Sequence, residues 1–406
     1  MNVFLAVLGL AFLILIHEAG HFLVALAVGM RPRSFNLGFG PPLAKITRKG
    51  IDYALRPIPL GGYVKIPGMH RPAPADLDVF FSRAVHEAPE LTGPVERVRR
   101  RLTASTDPPP EARADVEELR AVVEAADLKP DAAAPATRGL QELADGLGSD
   151  AYWRQRTWKR IAVILAGPVT NLALAVVVFA ALFMVGDAVA TRVVDSVLPG
   201  HPAAAAGLRA GDRIVAINGR PVRPTEIPER IQGSGGRPIK LTVERGERRL
   251  VLGPVRARKD AGVYRLGFRL RGRSLGAAAA FWRSVKLTGI VTREIGKSLA
   301  RLVHESGRKE ISGTVGIVQS SSNALSEGVQ TYLWVIGLIS LSLALFNLLP
   351  LLPLDGGHIV FSLIEGVRGR AVGRAIYERV SAIGIALVLL LFVIGLSNDI
   401  DRLNGG

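Results

Sequence analysis

The strongest constraint on this chain is an almost unbroken apolar run, Val3 to Val28, with His17-Glu18-Ala19-Gly20-His21 in its second half. A run of that length meets the ~20 residues an α-helix needs to cross the hydrocarbon core of a bilayer. Helical spacing puts the two histidines on one face, where their imidazoles can share a metal ion. Glu18 then sits beside the metal, able to take a proton from bound water. On a soluble helix this pattern suggests a metallopeptidase. Inside a spanning helix it says more, because ionisable side chains in hydrocarbon are costly and mark function. The setting argues for metal chemistry performed in the membrane.

Three further apolar segments follow, at Ile161–Val185, Leu333–Leu354 and Ile383–Leu396, the last of them short for a span. The 406 residues are 49% hydrophobic, too apolar for a typical soluble protein and too polar to be all membrane. The expected fold class is therefore an integral membrane α-helical protein with about four transmembrane helices and sizeable aqueous parts. The net charge of +16 suits attraction to anionic lipid. Nucleic acid is not expected, since no basic block is interleaved with stacking aromatics. The lack of cysteine excludes disulfides and thiolate zinc sites. Met1 to Phe4 carry no Lys or Arg and the apolar run holds His17 and Glu18, which argues against a cleaved signal peptide.

Basic residues near the segment ends suggest an orientation. Arg31, Arg33, Arg154, Arg156, Lys159 and Arg160 flank the 30–157 loop, and Arg368, Arg370, Arg374 and Arg379 fill the 365–380 connection. Both loops are expected in the cytoplasm, with the 187–330 loop and both termini outside.

Between these segments the chain changes character. Ser34–Gly68 reads as strands and turns, with a hairpin at Lys49-Gly50 and dense Gly/Pro punctuation. Beside a membrane site such an element could offer an open edge to an extended peptide; an ordinary connecting hairpin is the other reading. Residues 71–152 read as a helical, partly flexible cytoplasmic insertion. Glu111–Ala126 has helical spacing, while Asp107–Pro110 and Ala132–Thr137 look like linkers. In the outer loop, a strand at Val193–Val197 leads to Pro199-Gly200-His201-Pro202, Gly211-Asp212, an apolar strand and Asn218-Gly219. That order resembles a PDZ domain over about 190–272, a module that binds peptide or protein segments by strand addition. The Ala277–Val303 stretch is amphipathic, with Trp282 on its apolar side, and fits either a helix at the membrane interface or one packed on the PDZ-like module.

A hydrolytic zinc site usually has three protein ligands. The best source of a third is Asn347-Leu348-Leu349-Pro350-Leu351-Leu352-Pro353-Leu354-Asp355-Gly356-Gly357-His358. Asp355 is a carboxylate at membrane depth, Pro350 and Pro353 break the helix, and Gly356-Gly357 permits close approach of a partner helix. His358 is the rival ligand, and spacing leaves the two open.

Together these residues resemble the site-2 protease family of intramembrane zinc metalloproteases, and within it the regulator-of-sigma-E protease branch. The resemblance covers the His17–His21 motif, Gly167-Pro168-Val169-Thr170-Asn171, the PDZ-like module, Ile311-Ser312-Gly313-Thr314-Val315-Gly316, and Asn347 through Gly357. It implies one zinc ion per chain on His17, His21 and Asp355, with Glu18 as general base. It also implies a substrate-binding set of Asn347, Gly61 and Gly62, with Asn171 supporting from the second helix. The Ser34–Gly68 region then matches a membrane-associated β-element. The implied activity is regulated intramembrane proteolysis of single-span membrane proteins, anti-sigma-factor-like, after prior trimming. The implied location is the bacterial inner membrane, multi-pass. A quality-control or signal-peptide-remnant peptidase with the same site is the alternative, and a non-catalytic PDZ scaffold the non-enzyme rival. The pattern departs from the branch in having one PDZ-like module and a larger 71–150 insertion.

The expected order is thus a first span at 1–29, the β-region at 30–70, the insertion at 71–152 and a second span at 153–186. The PDZ-like domain follows at 190–272, an amphipathic connecting helix at 273–329, a third span at 330–364, and a fourth span with the C-terminus at 365–406.

Overall fold

The computed structural model describes residues 2–104, 111–185, 189–260, 262–301, 313–369, 372 and 374–404. It divides into two compact units, one of residues 1–175 and 290–406 and the other of residues 176–289. Among the described residues, four helices are long and apolar enough to cross a membrane: Asn2–Ala27, Thr157–Val185, Val329–Asn347 and Ile376–Arg402.

In the first unit, helix α1 (Asn2–Ala27) is followed by strands β1 (Ser34–Phe39), β2 (Ala44–Arg48), β3 (Ile51–Leu55) and β4 (Ile58–Lys65). The β2–β3 hairpin turns at Lys49 and Gly50, both at positive φ (51° and 75°). The region is more than a hairpin, however. The strands form one sheet in the order β2-β3-β1-β4, with β1 parallel to β3 and antiparallel to β4. Strand β4 is therefore an edge.

Helices α2 (Pro74–Glu87), α3 (Thr92–Ala104), α4 (Glu111–Ala125) and α5 (Pro130–Leu147) follow. They share a core of their own that includes Leu77, Phe81, Val98, Leu119 and Leu140, all buried. This corrects the linker expected at Ala132–Thr137. Alanine is the strongest helix former, and here Ala132 and Ala136 sit one turn apart on the buried face of α5. The linker expected at Asp107–Pro110 lies outside the described residues.

Helix α6 (Thr157–Val185) leads into the second unit. There β5 (Val189–Val197), α7 (Pro202–Ala205), β6 (Arg213–Ile217), β7 (Arg220–Pro221), α8 (Glu226–Gln232), β8 (Pro238–Arg245) and β9 (Arg248–Arg256) precede β10 (Arg258–Asp260), β11 (Val263–Arg265) and β12 (Phe268–Arg273). The main sheet is antiparallel in the order β12-β5-β6-β8-β9, with β7 on β6. Val194, Ile214, Ile227, Leu241 and Val243 fill its core. Asp212 is buried at the start of β6, where it accepts bonds from the Arg245 guanidinium (2.7 Å) and the Arg209 amide (2.9 Å).

After helix α9 (Ala277–Arg301) come α10 (Thr314–Glu327), α11 (Val329–Asn347), α12 (Asp355–Arg368) and α13 (Arg374–Asn404). Two expectations are corrected here. The connecting helix expected over 273–329 is divided between α9 and α10, and α10 packs against α1 and α13. Its start is held by Asp399 of α13, whose carboxylate accepts the Gly313 amide (3.1 Å) and the Gly316 amide (2.8 Å). A side chain on either glycine would collide with Asp399 or its helix. The resemblance at 311–316 thus has a structural basis in those glycines, although Ile311 and Ser312 lie outside the described residues.

The third apolar segment is likewise two helices, α11 and α12, separated at 348–354 around Pro350 and Pro353. Each proline lacks the N–H that a helix interior would use, which disfavours helix through this stretch. The close approach expected of Gly356 and Gly357 is not to a partner helix. Added Cβ atoms there would meet backbone atoms of the chain's own preceding turn, Leu348–Leu352.

Candidate metal centre

Helix α1 places His17 and His21 one turn apart and faces them inward, each 7% exposed. Their Nε2 atoms lie 3.2 Å apart and the rings stand edge to face at 83°. The interruption of the helix before α12 brings Asp355 to them from the far end of the sequence. Its Oδ2 lies 3.2 Å from His17 Nε2 and 3.4 Å from His21 Nε2. Three donor atoms thus form a nearly equilateral triangle.

The residues fit a zinc ion on two grounds. Zinc bonds of about 2.0–2.2 Å in tetrahedral geometry place ligand atoms roughly 3.3–3.6 Å apart, close to the 3.2–3.4 Å found here. The second ground is the hydrogen-bond state of the donors. His21 Nδ1 lies 2.8 Å from the Val163 carbonyl, which can only accept, so Nδ1 carries the proton and Nε2 presents a lone pair. Asp355 Oδ2 is buried without a hydrogen-bond partner. Converging lone pairs in a buried pocket repel one another unless a cation lies among them.

His17 is supported from α6. Its Nδ1 is 3.4 Å from the side-chain amide of Asn171, which is wholly buried and whose Oδ1 has no partner. A half-turn of that amide puts Oδ1 on His17 Nδ1–H, satisfying both groups and freeing Nε2. Asn171 lies behind His17 and does not line the cavity. It touches the histidine, the side of the site that the second helix was expected to support.

Helix α6 must come very close to α1 for this. A Cβ at Gly20 would lie 2.6 Å from the Ala166 carbonyl oxygen, and one at Gly167 would overlap the rings of His21 and His17. Thr170 Oγ1 donates to the Gly167 carbonyl of its own helix (2.8 Å) and lies 3.2 Å from the Ile16 carbonyl. Small residues at a helix crossing permit such backbone approach. Gly167 and Val163 were missed as site residues; the periodic small residues Gly20, Ala166 and Gly167 were the available signal.

The triangle opens into a cavity of about 470 Å³ that Glu18, Gly61, Gly62, Asn347 and His358 also line. Gly62 presses on Glu18, an added Cβ falling 3.1 Å from Glu18 Cγ, and the Val64 amide is directed at the Glu18 carboxylate. Gly61 lies under the Phe39 ring, and Asn347 is the last residue of α11. His358 stands one turn after Asp355 in the same cavity, but its Nδ1 is 2.8 Å from the Tyr377 hydroxyl and it is outside the triangle.

A buried His-His-Asp donor set with a carboxylate beside it, built on helices long enough to span a bilayer, defines a membrane metallohydrolase. Comparison with known proteins narrows the class. The sequence profile of peptidase family M50 matches residues 5–391. A protein of Agrobacterium fabrum, provisionally named a zinc metalloprotease, is 31% identical over 98% of this chain and 95% of its own length. Zinc metalloprotease RasP of Geobacillus kaustophilus is 30% identical over 96% of this chain and 95% of its own. The chain belongs to peptidase family M50, and it is a zinc metalloendopeptidase of the site-2 protease type.

Proposed function

We propose that this enzyme carries out regulated intramembrane proteolysis, cutting single-span membrane proteins, anti-sigma-factor-like, in or near their spanning segment after prior trimming. The observation that carries this reading is one cavity holding the donor triangle, Glu18 and the edge of β4 together. In this reading His17, His21 and Asp355 hold the zinc. When bound, the metal supplies Lewis-acid polarisation of the scissile carbonyl and acidification of the attacking water. Glu18 takes the proton from that water and later hands it to the leaving amine.

A transmembrane helix keeps its carbonyls in hydrogen bonds, so the substrate must unwind before attack. The unwound stretch adds to the open edge of β4 at Gly61 and Gly62. Asn347 holds its backbone from the opposite side. The antiparallel sheet and short helices of residues 189–273 support a PDZ-like module that selects among trimmed substrates by strand addition. Basic residues flanking the spans favour an orientation with the metal toward the cytoplasm and the PDZ-like module outside, in a bacterial inner membrane.

The test is cleavage of a single-span substrate by purified protein, wild type beside Glu18→Gln. Cleavage by wild type alone is expected. Equal cleavage by both would remove Glu18 from the chemistry. Cutting confined to signal-peptide remnants would favour a clearance role.

A further inference from the structure

Strand β4 has β1 on one side and an open edge on the other. That edge ends at Val64, whose amide is directed at Glu18 and whose carbonyl is taken by the Ile66 amide at 3.1 Å. A chain paired with β4 beside Glu18 therefore cannot stay paired beyond Val64. A second groove of about 380 Å³ begins at that point. Tyr63, Lys65 and Met69 form one wall, and Phe80, Arg138 and Leu143 of the helical insertion form the other. Tyr63 and Met69 also border the catalytic cavity, so the two spaces adjoin at these residues.

The insertion is fastened as a wall. Lys65 reaches Glu142 (2.9 Å), Arg33 holds Asp145 (2.7 Å) and Asp150 (2.9 Å), and Trp153 Nε1 donates to the Gly146 carbonyl (2.7 Å). Backbone fits tightly at the seam, where a Cβ on Gly68 would lie 2.6 Å from that of Ala151. The charges in the groove are mostly answered. Glu142 pairs with Lys65, and Asp76 accepts the Ala73 amide (2.7 Å) at the start of α2. Arg138 is exposed and has no acidic partner among the described residues.

We propose that this groove is a substrate subsite, with the insertion as its outer wall. It holds the extended flank of the substrate chain leaving the catalytic cavity, an apolar side chain lodging against Phe80 and an acidic one meeting Arg138. The assignment rests on the proteolytic reading above and gives residues 74–147 a role in choosing the substrate.

The chain has no cysteine, so Arg138→Cys in a Glu18→Gln background supplies a single thiol for cross-linking. The partner is a single-span substrate with one cysteine scanned along its flank. Disulfide formation should peak within about six residues of the scissile bond, given about 3.3 Å per extended residue. The control, Arg113→Cys on the exposed side of α4, should show no peak. Equal profiles from the two positions overturn the proposal.

Turnover gives an independent reading in a Glu18-intact enzyme. Arg138→Glu should lower kcat/KM for a substrate with Asp in the flank by about fivefold, the scale of a partly exposed ion pair. It should favour the same substrate with Lys there. An unchanged Asp/Lys preference also overturns the subsite. Cross-linking at position 138 without wild-type cleavage would support the groove and sink the proteolytic reading. Cleavage without preferential cross-linking would do the reverse.

Discussion

The backbone of Gly167 lies against the imidazole of His21 with no space for a methyl group between them. The same missing methyl would meet Cε1 of His17 at 2.8 Å. Gly167→Ala should therefore displace both rings although neither ligand is changed. Zinc content measured on purified protein should fall well below one per chain, and cleavage should drop by at least about tenfold, as expected when ligand orientation is disturbed. Full zinc content in this variant would show that α1 and α6 can separate without cost.

Removing the metal should abolish cleavage, and adding zinc back should restore it. Asp355→Ala is expected to lose zinc along with activity, because two imidazoles alone hold the ion poorly. His358→Ala should retain zinc, since that ring is held by Tyr377 outside the triangle. Metal analysis of the two variants side by side decides which residue is the third ligand. Zinc retained in Asp355→Ala and lost in His358→Ala would reverse the assignment.

Asn171→Ala leaves all three donors in place but removes the support behind His17. Loss of such a partner typically weakens metal binding by about 10–100-fold. A competition titration against a zinc chelator should show that loss, and near-normal cleavage should return when zinc is in excess. If Asn171 instead contacted substrate, KM would rise with zinc affinity unchanged.

The second unit should be acid-sensitive through Asp212. Burial alone would raise its carboxyl, but the Arg245 guanidinium and the Arg209 amide overcome this and hold it below the usual carboxylate range. A group depressed in the folded state stabilises fully above its unfolded value, about 3.9, and that contribution is lost as pH falls through the lower folded value. Urea unfolding of the 176–289 unit, followed by proteolysis of the full chain, should show a midpoint that drops below about pH 4. Asp212→Asn should lower the midpoint at neutral pH and flatten the acid slope. An unchanged slope would assign the acid sensitivity to other carboxylates.

Much of the site was legible because its parts are local or costly. His17, Glu18 and His21 stand on one helix, so their spacing alone put them on one face. Asp355 was conspicuous as a carboxylate in an apolar segment, where an ionised group persists only with a partner. The choice between Asp355 and His358 was not legible. It turns on how residues 348–354 fold back over Gly356 and Gly357, which no spacing rule contains. The same holds for Ala132–Thr137, where Pro and Ala looked like a linker until burial on the α2–α5 core made helix the better state.

The sequence by itself determined that the chain would carry helices long and apolar enough to cross a membrane, that a hydrolytic metal pair lay on the first of them, and that strands would follow it. Those properties depend on side-chain chemistry and short-range periodicity. Only the tertiary structure decided that the sheet exposes β4 beside Glu18, that Val163 and Asn171 orient the histidines, and that a helical unit walls a groove leading away from the metal. Each of these depends on contacts between segments far apart in the chain, where backbone approach and the sharing of hydrogen bonds are settled by packing.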